Sequence, residues 1–170
     1  MRICWRNKFH SIIHMPRKEL EAAINKHSCA LACLVSLTRD NGVITTQSDL
    51  IATYTSQIPK WGQEPGLLNL TELVGFLRVL LNTKSHIVTE DKDAILYLLQ
   101  RPNTIGGFVI TKKYWDENGD LADYDHCKRI TGFIGEGLEL MNPKQIDPDI
   151  VTWNWDALGL WKAYALIAQK

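Results

Sequence analysis

A thiol, an imidazole and a carboxamide occur in this sequence in the order and local settings that nucleophilic acyl chemistry requires. Cys29 stands in Ser28-Cys29-Ala30-Leu31-Ala32-Cys33-Leu34-Val35, at the expected first turn of an apolar helix. Open N–H groups at a helix start favour the thiolate, which is the form that attacks. His126, at the start of an expected strand, is placed to take the thiol proton and return it to a leaving group. Asn142, just before Pro143, lies at even spacing from His126. With a three-residue loop between their strands, even spacing puts both side chains on one face, a few residues out of direct register. From there the Asn142 carbonyl could accept from the ring and fix its tautomer.

Each residue also has a plain structural explanation. Free cysteines are among the most buried residue types, His126 could be an edge histidine, and Asn-Pro is a common turn dipeptide. Cys29 and Cys33 have zinc-ligand spacing, but His126 and Cys127 are adjacent and should point to opposite faces of a strand. No metal or cofactor is therefore expected. The acidic stretch Asp116, Glu117, Asp120, Asp123 and Asp125 reads as a solvated loop, since a calcium loop needs tighter alternating ligands. Among the six tryptophans, Trp61 and Trp115 sit in loop-like surroundings. Loop aromatics of this kind often contact substrate, and burial in the core is the equal alternative.

The elements that must position these groups divide the chain in two. Pro16 suits the first position of a short helix reaching Ile24. The helix opening at Cys29 is apolar on almost every side, as a buried central helix would be, and Asn41-Gly42 stops it. Thr46 to Asp49 starts another helix, reaching about Gln57, and Asn69 with Glu72 caps one running to Leu81. His86–Thr89 reads as a strand and Asp91–Gln100 as a helix ended near Pro102. Beyond it the pattern is β: Gly107–Thr111, a hairpin of Asp125–Phe133 and Leu138–Met141 around Gly135-Glu136-Gly137, and a last strand over Trp161–Ile167. Helices first and strands after predict an α+β fold with an antiparallel sheet.

Composition bounds the function. The chain has 170 residues, 45% hydrophobic and 22% charged, which fits a single domain over residues 1–170. Its 19 basic and 19 acidic residues balance, so neither nucleic acid nor a membrane surface is an expected partner. No apolar run is long enough to span a bilayer. Early charges leave no room for a signal-peptide core, so the protein is expected to be cytoplasmic or exported by a route without a Sec-type signal. The four cysteines are then expected as thiols rather than disulfides.

Taken together, these residues resemble the papain-like superfamily of cysteine peptidases. The likeness is to the double-glycine-leader (bacteriocin-processing) peptidase family and its freestanding relatives. That pattern is Asp-Cys-Gly-Pro-Ala-Cys-Leu on a central helix, then His before a β-rich run with Gly, then Asp-Pro or Asn-Pro. Here the matching positions are Ser28-Cys29-Ala30-Leu31-Ala32-Cys33-Leu34, His126 with Ile130-Thr131-Gly132, and Asn142-Pro143. Trp153, Trp155 and Trp161 resemble the Trp-containing segment that follows. The resemblance covers roughly residues 24 to 168.

It implies a papain-like fold, an N-terminal helix carrying Cys29 packed on a C-terminal antiparallel sheet. It also implies a thiol hydrolase acting on a peptide or side-chain amide of a protein or peptide substrate. Cys29 would be the nucleophile, His126 the base and acid, and Asn142 the orienter. Proteases, glutamine deamidases and toxin or effector domains all use this chemistry. Two departures stand out: Ala30-Leu31 replaces Gly-Pro, and the family's Gln before the Cys is missing, since no Gln precedes Cys29. Asn25 is the expected substitute oxyanion donor beside the Cys29 backbone N–H, with His27 a weaker candidate. The alternative is a catalytically degenerate domain that binds a peptide or acts as an adaptor.

Overall fold

The computed structural model describes residues 20–111, 114–115, 121–122 and 126–170, the side chains of 114, 115, 121 and 122 excepted. Four helices and a strand come first: α1 (Cys29–Asp40), α2 (Gln47–Tyr54), α3 (Leu70–Leu81), β1 (Ser85–Thr89) and α4 (Lys92–Leu99). The strand-rich half follows with β2 (Thr104–Thr111), a short ribbon of β3 (Tyr114–Trp115) and β4 (Leu121–Ala122), β5 (His126–Ile134) and β6 (Gly137–Asn142). It ends with β7 (Asp149–Asn154), α5 (Trp155–Leu160) and β8 (Ala163–Gln169). Six strands form one antiparallel sheet in the order β1-β8-β2-β5-β6-β7. The α+β expectation therefore holds.

Local chemistry explains most boundaries. Asn69 and Glu72 cap the start of α3 reciprocally, each side chain accepting the other's backbone N–H at 2.8 Å. Thr46 accepts from Asp49 N–H at 3.0 Å to open α2. The expected helix from Pro16 to Ile24 lies mostly outside the described residues, and residues 20–23 carry no helix. The elements that went unexpected include β7, α5 just before the last strand, and the short β3–β4 ribbon.

Helix α1 is buried on nearly every side, with Leu31, Ala32, Cys33, Leu34, Val35 and Leu37 fully enclosed. It packs between β5 and α3. One core fills the space around it, with Phe108, Ile110, Cys127, Met141 and Leu166 of the sheet's inner face. A second core lies on the opposite face, where Val109, Ile130, Leu140, Ala165 and Ile167 meet α4 and α5. Side chains that alternate along β5 thus belong to two different cores.

A buried ion pair fixes the far end of α1 to the sheet. Arg129 Nη2 on β5 pairs with Asp40, both almost fully buried, and Nη1 donates to Ser36 Oγ at 2.7 Å. Trp61 belongs to the same inner core, which corrects its expected role as a substrate-touching residue and realises the alternative of burial. Its ring is 1% exposed and stacks on Phe76 at 5.9 Å, and its indole N–H donates to Leu67 O at 2.7 Å. The tryptophan is an anchor for the loop that precedes α3, with no face left for a substrate. No helix among the described residues is long and apolar enough to cross a membrane.

Candidate active site

His126 and Asn142 meet because of an irregularity in the β5–β6 ladder. The hairpin closes with a two-residue turn, Ile134 opposite Gly137, not the three-residue loop expected. That register alone would send the two side chains to opposite faces. A β-bulge intervenes: Ile130 pairs with Leu140 and Gly132 with Glu139, leaving Thr131 as the extra residue. The shift of one restores the parity, so Asn142 comes to lie on the His126 face, diagonal to it across the ladder. The Thr131 hydroxyl donates to Glu139 O at 3.2 Å, and Glu139 Oε1 lies 3.0 Å from the same oxygen.

The resulting contact runs from His126 Nε2 to Asn142 Oδ1 at 3.1 Å. Since a carboxamide oxygen only accepts, the proton of the neutral ring sits on Nε2 and the lone pair on Nδ1. Burial, followed by the nearby Lys128 ammonium, lowers the His126 pKa to about 4, against the partial offset of the Asn142 bond. The ring is therefore neutral across the physiological range.

Cys29 reaches the same end of β5 from the other side. Its sulfur lies beside the backbone of Cys127, the residue after His126, and Cys33 one turn on donates its S–H to Cys127 O at 3.5 Å. Burial, then the Cys127 sulfur, pushes the Cys29 thiol up to about 11; backbone N–H groups of Cys127 and Ala30 and the Lys128 charge act the other way. With the thiol raised and the imidazole lowered, both groups are neutral at rest. A pre-formed thiolate–imidazolium pair is not what these surroundings favour.

The segment before α1 is held by Asn25. Its Nδ2 donates to Pro65 O at 2.9 Å and its Oδ1 accepts from His27 N–H at 2.7 Å. Ser28 Oγ is likewise bonded to the Asn25 backbone and leaves the helix start without a side-chain cap. Asn25 thus braces the turn and does not line the cleft beside Cys29. His27 does, together with Ala30, Leu67, Leu70, Ile110, Cys127 and Tyr164, around a small pocket whose lining does not include His126 or Asn142. Trp115 has its side chain outside the described residues, as have all the acidic residues of the 116–125 stretch.

Two charged residues beside this centre escaped the sequence reading. Lys128 follows His126 by two, so the strand period puts both on one face. It is 8% exposed, with Nζ 4.7 Å from the Trp153 ring centre. Asp149 opens β7 directly opposite Asn142. The β-branched and aromatic run Ile150-Val151-Thr152-Trp153 was the available signal for that strand. Among the described residues, no group of three or more His, Cys, Asp or Glu could hold a metal ion, and no disulfide joins Cys29, Cys33 and Cys127.

No protein-family model matches the chain, and no curated protein matches it. Among solved structures, a crystal structure from Bacillus anthracis, of a protein provisionally assigned as a C39-like peptidase, is similar. It covers 94% of this chain and 97% of its own, with a TM-score of 0.53 and 14% sequence identity. The likeness is one of fold. The chain has the papain-like architecture, a helix opening at Cys29 packed on a six-stranded antiparallel sheet.

Proposed function

We propose that this protein is a thiol hydrolase of the papain-like type, acting on a main-chain or side-chain amide of a protein or peptide. The observation that carries the reading is the 3.1 Å bond from His126 Nε2 to Asn142 Oδ1, at the end of β5 where the Cys29 sulfur lies. In this mechanism Nδ1 of the neutral His126 takes the Cys29 proton as the sulfur attacks the amide carbonyl. The imidazolium then protonates the leaving amine, and a thioester remains on Cys29. Water activated by the same nitrogen hydrolyses it.

Asn142 keeps Nε2 protonated through both half-reactions. Backbone N–H groups at the uncapped start of α1 face the developing oxyanion, and the His27 ring, which lines the cleft with Asn69 and Tyr164, is the side-chain donor. Asn25 supports them by holding the turn. Peptide cleavage, glutamine deamidation and acyl transfer share this acyl-enzyme; the last two suit a toxin or effector.

Two observations favour a different reading, a degenerate domain that binds a peptide in the same cleft. The Cys29 thiol is raised to about 11, and the family's Gln has no counterpart before it. A library of peptides digested from a bacterial proteome, analysed by mass spectrometry for cleavage and deamidation, separates the two. A hydrolase converts a subset of peptides, forms a thioester that hydroxylamine traps, and loses both in Cys29→Ser. His126→Ala should slow turnover by about 10³- to 10⁴-fold. Peptides retained unchanged, equally by the native protein and Cys29→Ser, would establish the binding domain instead.

A further inference from the structure

Resting on the triad reading above, we propose that Asp149 is a positioning residue that dictates which end of the Asn142 amide faces His126. Through that choice it selects the ring nitrogen that can serve as base. Asn142 and Asp149 are direct partners across the β6–β7 ladder, so their side chains stand on the same face of the sheet. Asp149 Oδ2 is taken by Lys144 Nζ at 2.8 Å. Oδ1 is closed off from solvent and has no close hydrogen bond of its own. After Lys144, the Asn142 side chain is among the groups that hold the Asp149 carboxyl below its usual range.

The consequence follows from donor and acceptor counting. A carboxylate only accepts, so the amide that faces it must present Nδ2. Its oxygen is then left for the imidazole. That oxygen also only accepts, so the ring must carry its proton on Nε2 and its lone pair on Nδ1. An asparagine has no such preference by itself, because its two ends are nearly the same shape. Turned through half a rotation, it would donate to Nε2, move the proton to Nδ1 and abolish the base. Asp149 removes the ambiguity. The same geometry explains an asparagine at position 142, since an aspartate would set two carboxylates opposite one another in the ladder.

The test reads the tautomer directly and does not need a substrate. Long-range ¹H–¹⁵N spectra of the uniformly ¹⁵N-labelled protein, with the His126 signals assigned by their loss in His126→Gln, distinguish Nε2–H from Nδ1–H. The native ring should be Nε2–H, and Asp149→Ala should populate Nδ1–H. Alkylation of Cys29 by iodoacetamide at neutral pH should slow by about 10- to 100-fold in the same variant. Lys144→Met, which keeps the carboxylate, should leave the tautomer as it is.

Reciprocal exchange is the decisive variant. Asn142→Asp alone should slow alkylation, and Asn142→Asp with Asp149→Asn should restore it, because the donor–acceptor order is again unique. If Asp149→Ala folds poorly, this pair still decides the matter. An unchanged tautomer in Asp149→Ala, or a double variant no faster than Asn142→Asp, overturns the proposal while leaving the catalytic reading intact. Tautomer control by Asp149 in a protein whose Cys29 alkylates independently of His126 does the reverse: it sinks the hydrolase and keeps the positioning role.

Discussion

At the scale of single residues, the decisive feature is a neutral ring in a half-buried setting. His126 titrates at about 4 in the folded protein against an ordinary 6.5, first because burial disfavours the imidazolium and then because Lys128 repels it. The unfolded chain therefore binds a proton between pH 6.5 and about 4 that the native protein refuses, and stability must fall as pH is lowered through that window. The loss is on the order of 3 kcal/mol, nearly complete at pH 4 and constant well below it. Urea denaturation at pH 7 and at pH 4.5 should show this drop in the native protein and a smaller one in His126→Gln; equal drops would mean that the ring is not held neutral. The helix start at Cys29, the strand start at His126 and the His126–Asn142 contact were expected from the sequence because a helix start, a strand start and a turn dipeptide are local signals. Asn25 was misjudged for the same reason. Its position invited an oxyanion role, but its hydrogen bonds go to Pro65 and His27, and the first of these is set by a distant loop.

At the scale of elements, the β5–β6 hairpin does the aligning. The two-residue turn and the bulge at Thr131 are each a shift of one, and only together do they return Asn142 to the His126 face. Deleting Thr131 should therefore give a continuous ladder with the carboxamide on the wrong side of the sheet. The expected outcome is a folded protein, judged by circular dichroism, whose His126 ring no longer reports a bond to Asn142 and whose Cys29-dependent turnover falls by about 10³-fold or more. Retained activity would show that the alignment has another origin. Gly137, at the first position of β6, belongs to the same arrangement. A Cβ there would stand 1.9 Å from Trp153 O, so only glycine lets β7 close on β6 and bring Asp149 opposite Asn142. The sequence showed the hairpin and its glycines. It could not show the bulge, because a single unpaired residue changes neither composition nor alternation enough to be seen.

At the scale of the whole molecule, the site depends on α1 lying across β5 at one angle. Apolar packing holds the helix down on the sheet, and the Arg129–Asp40 pair with Ser36 fixes its far end. Asp40→Ala leaves a buried guanidinium without its counter-charge and should cost about 3–5 kcal/mol in urea denaturation, while Asp40→Leu with Arg129→Met should recover most of it. Recovery that fails would place the pair's value in orientation more than in charge balance. The order of elements, the all-round apolar helix at Cys29 and the strand-rich second half followed from sequence alone, because periodicity and caps are properties of neighbouring residues. Long-range pairing was a different matter. The burial of Trp61, the β7 strand that brings Asp149 to Asn142, and the registry that sets His126 beside that amide all depend on contacts between segments far apart in the chain. Those contacts are selected by the packing of two cores on one sheet, and no local pattern in the sequence encodes them.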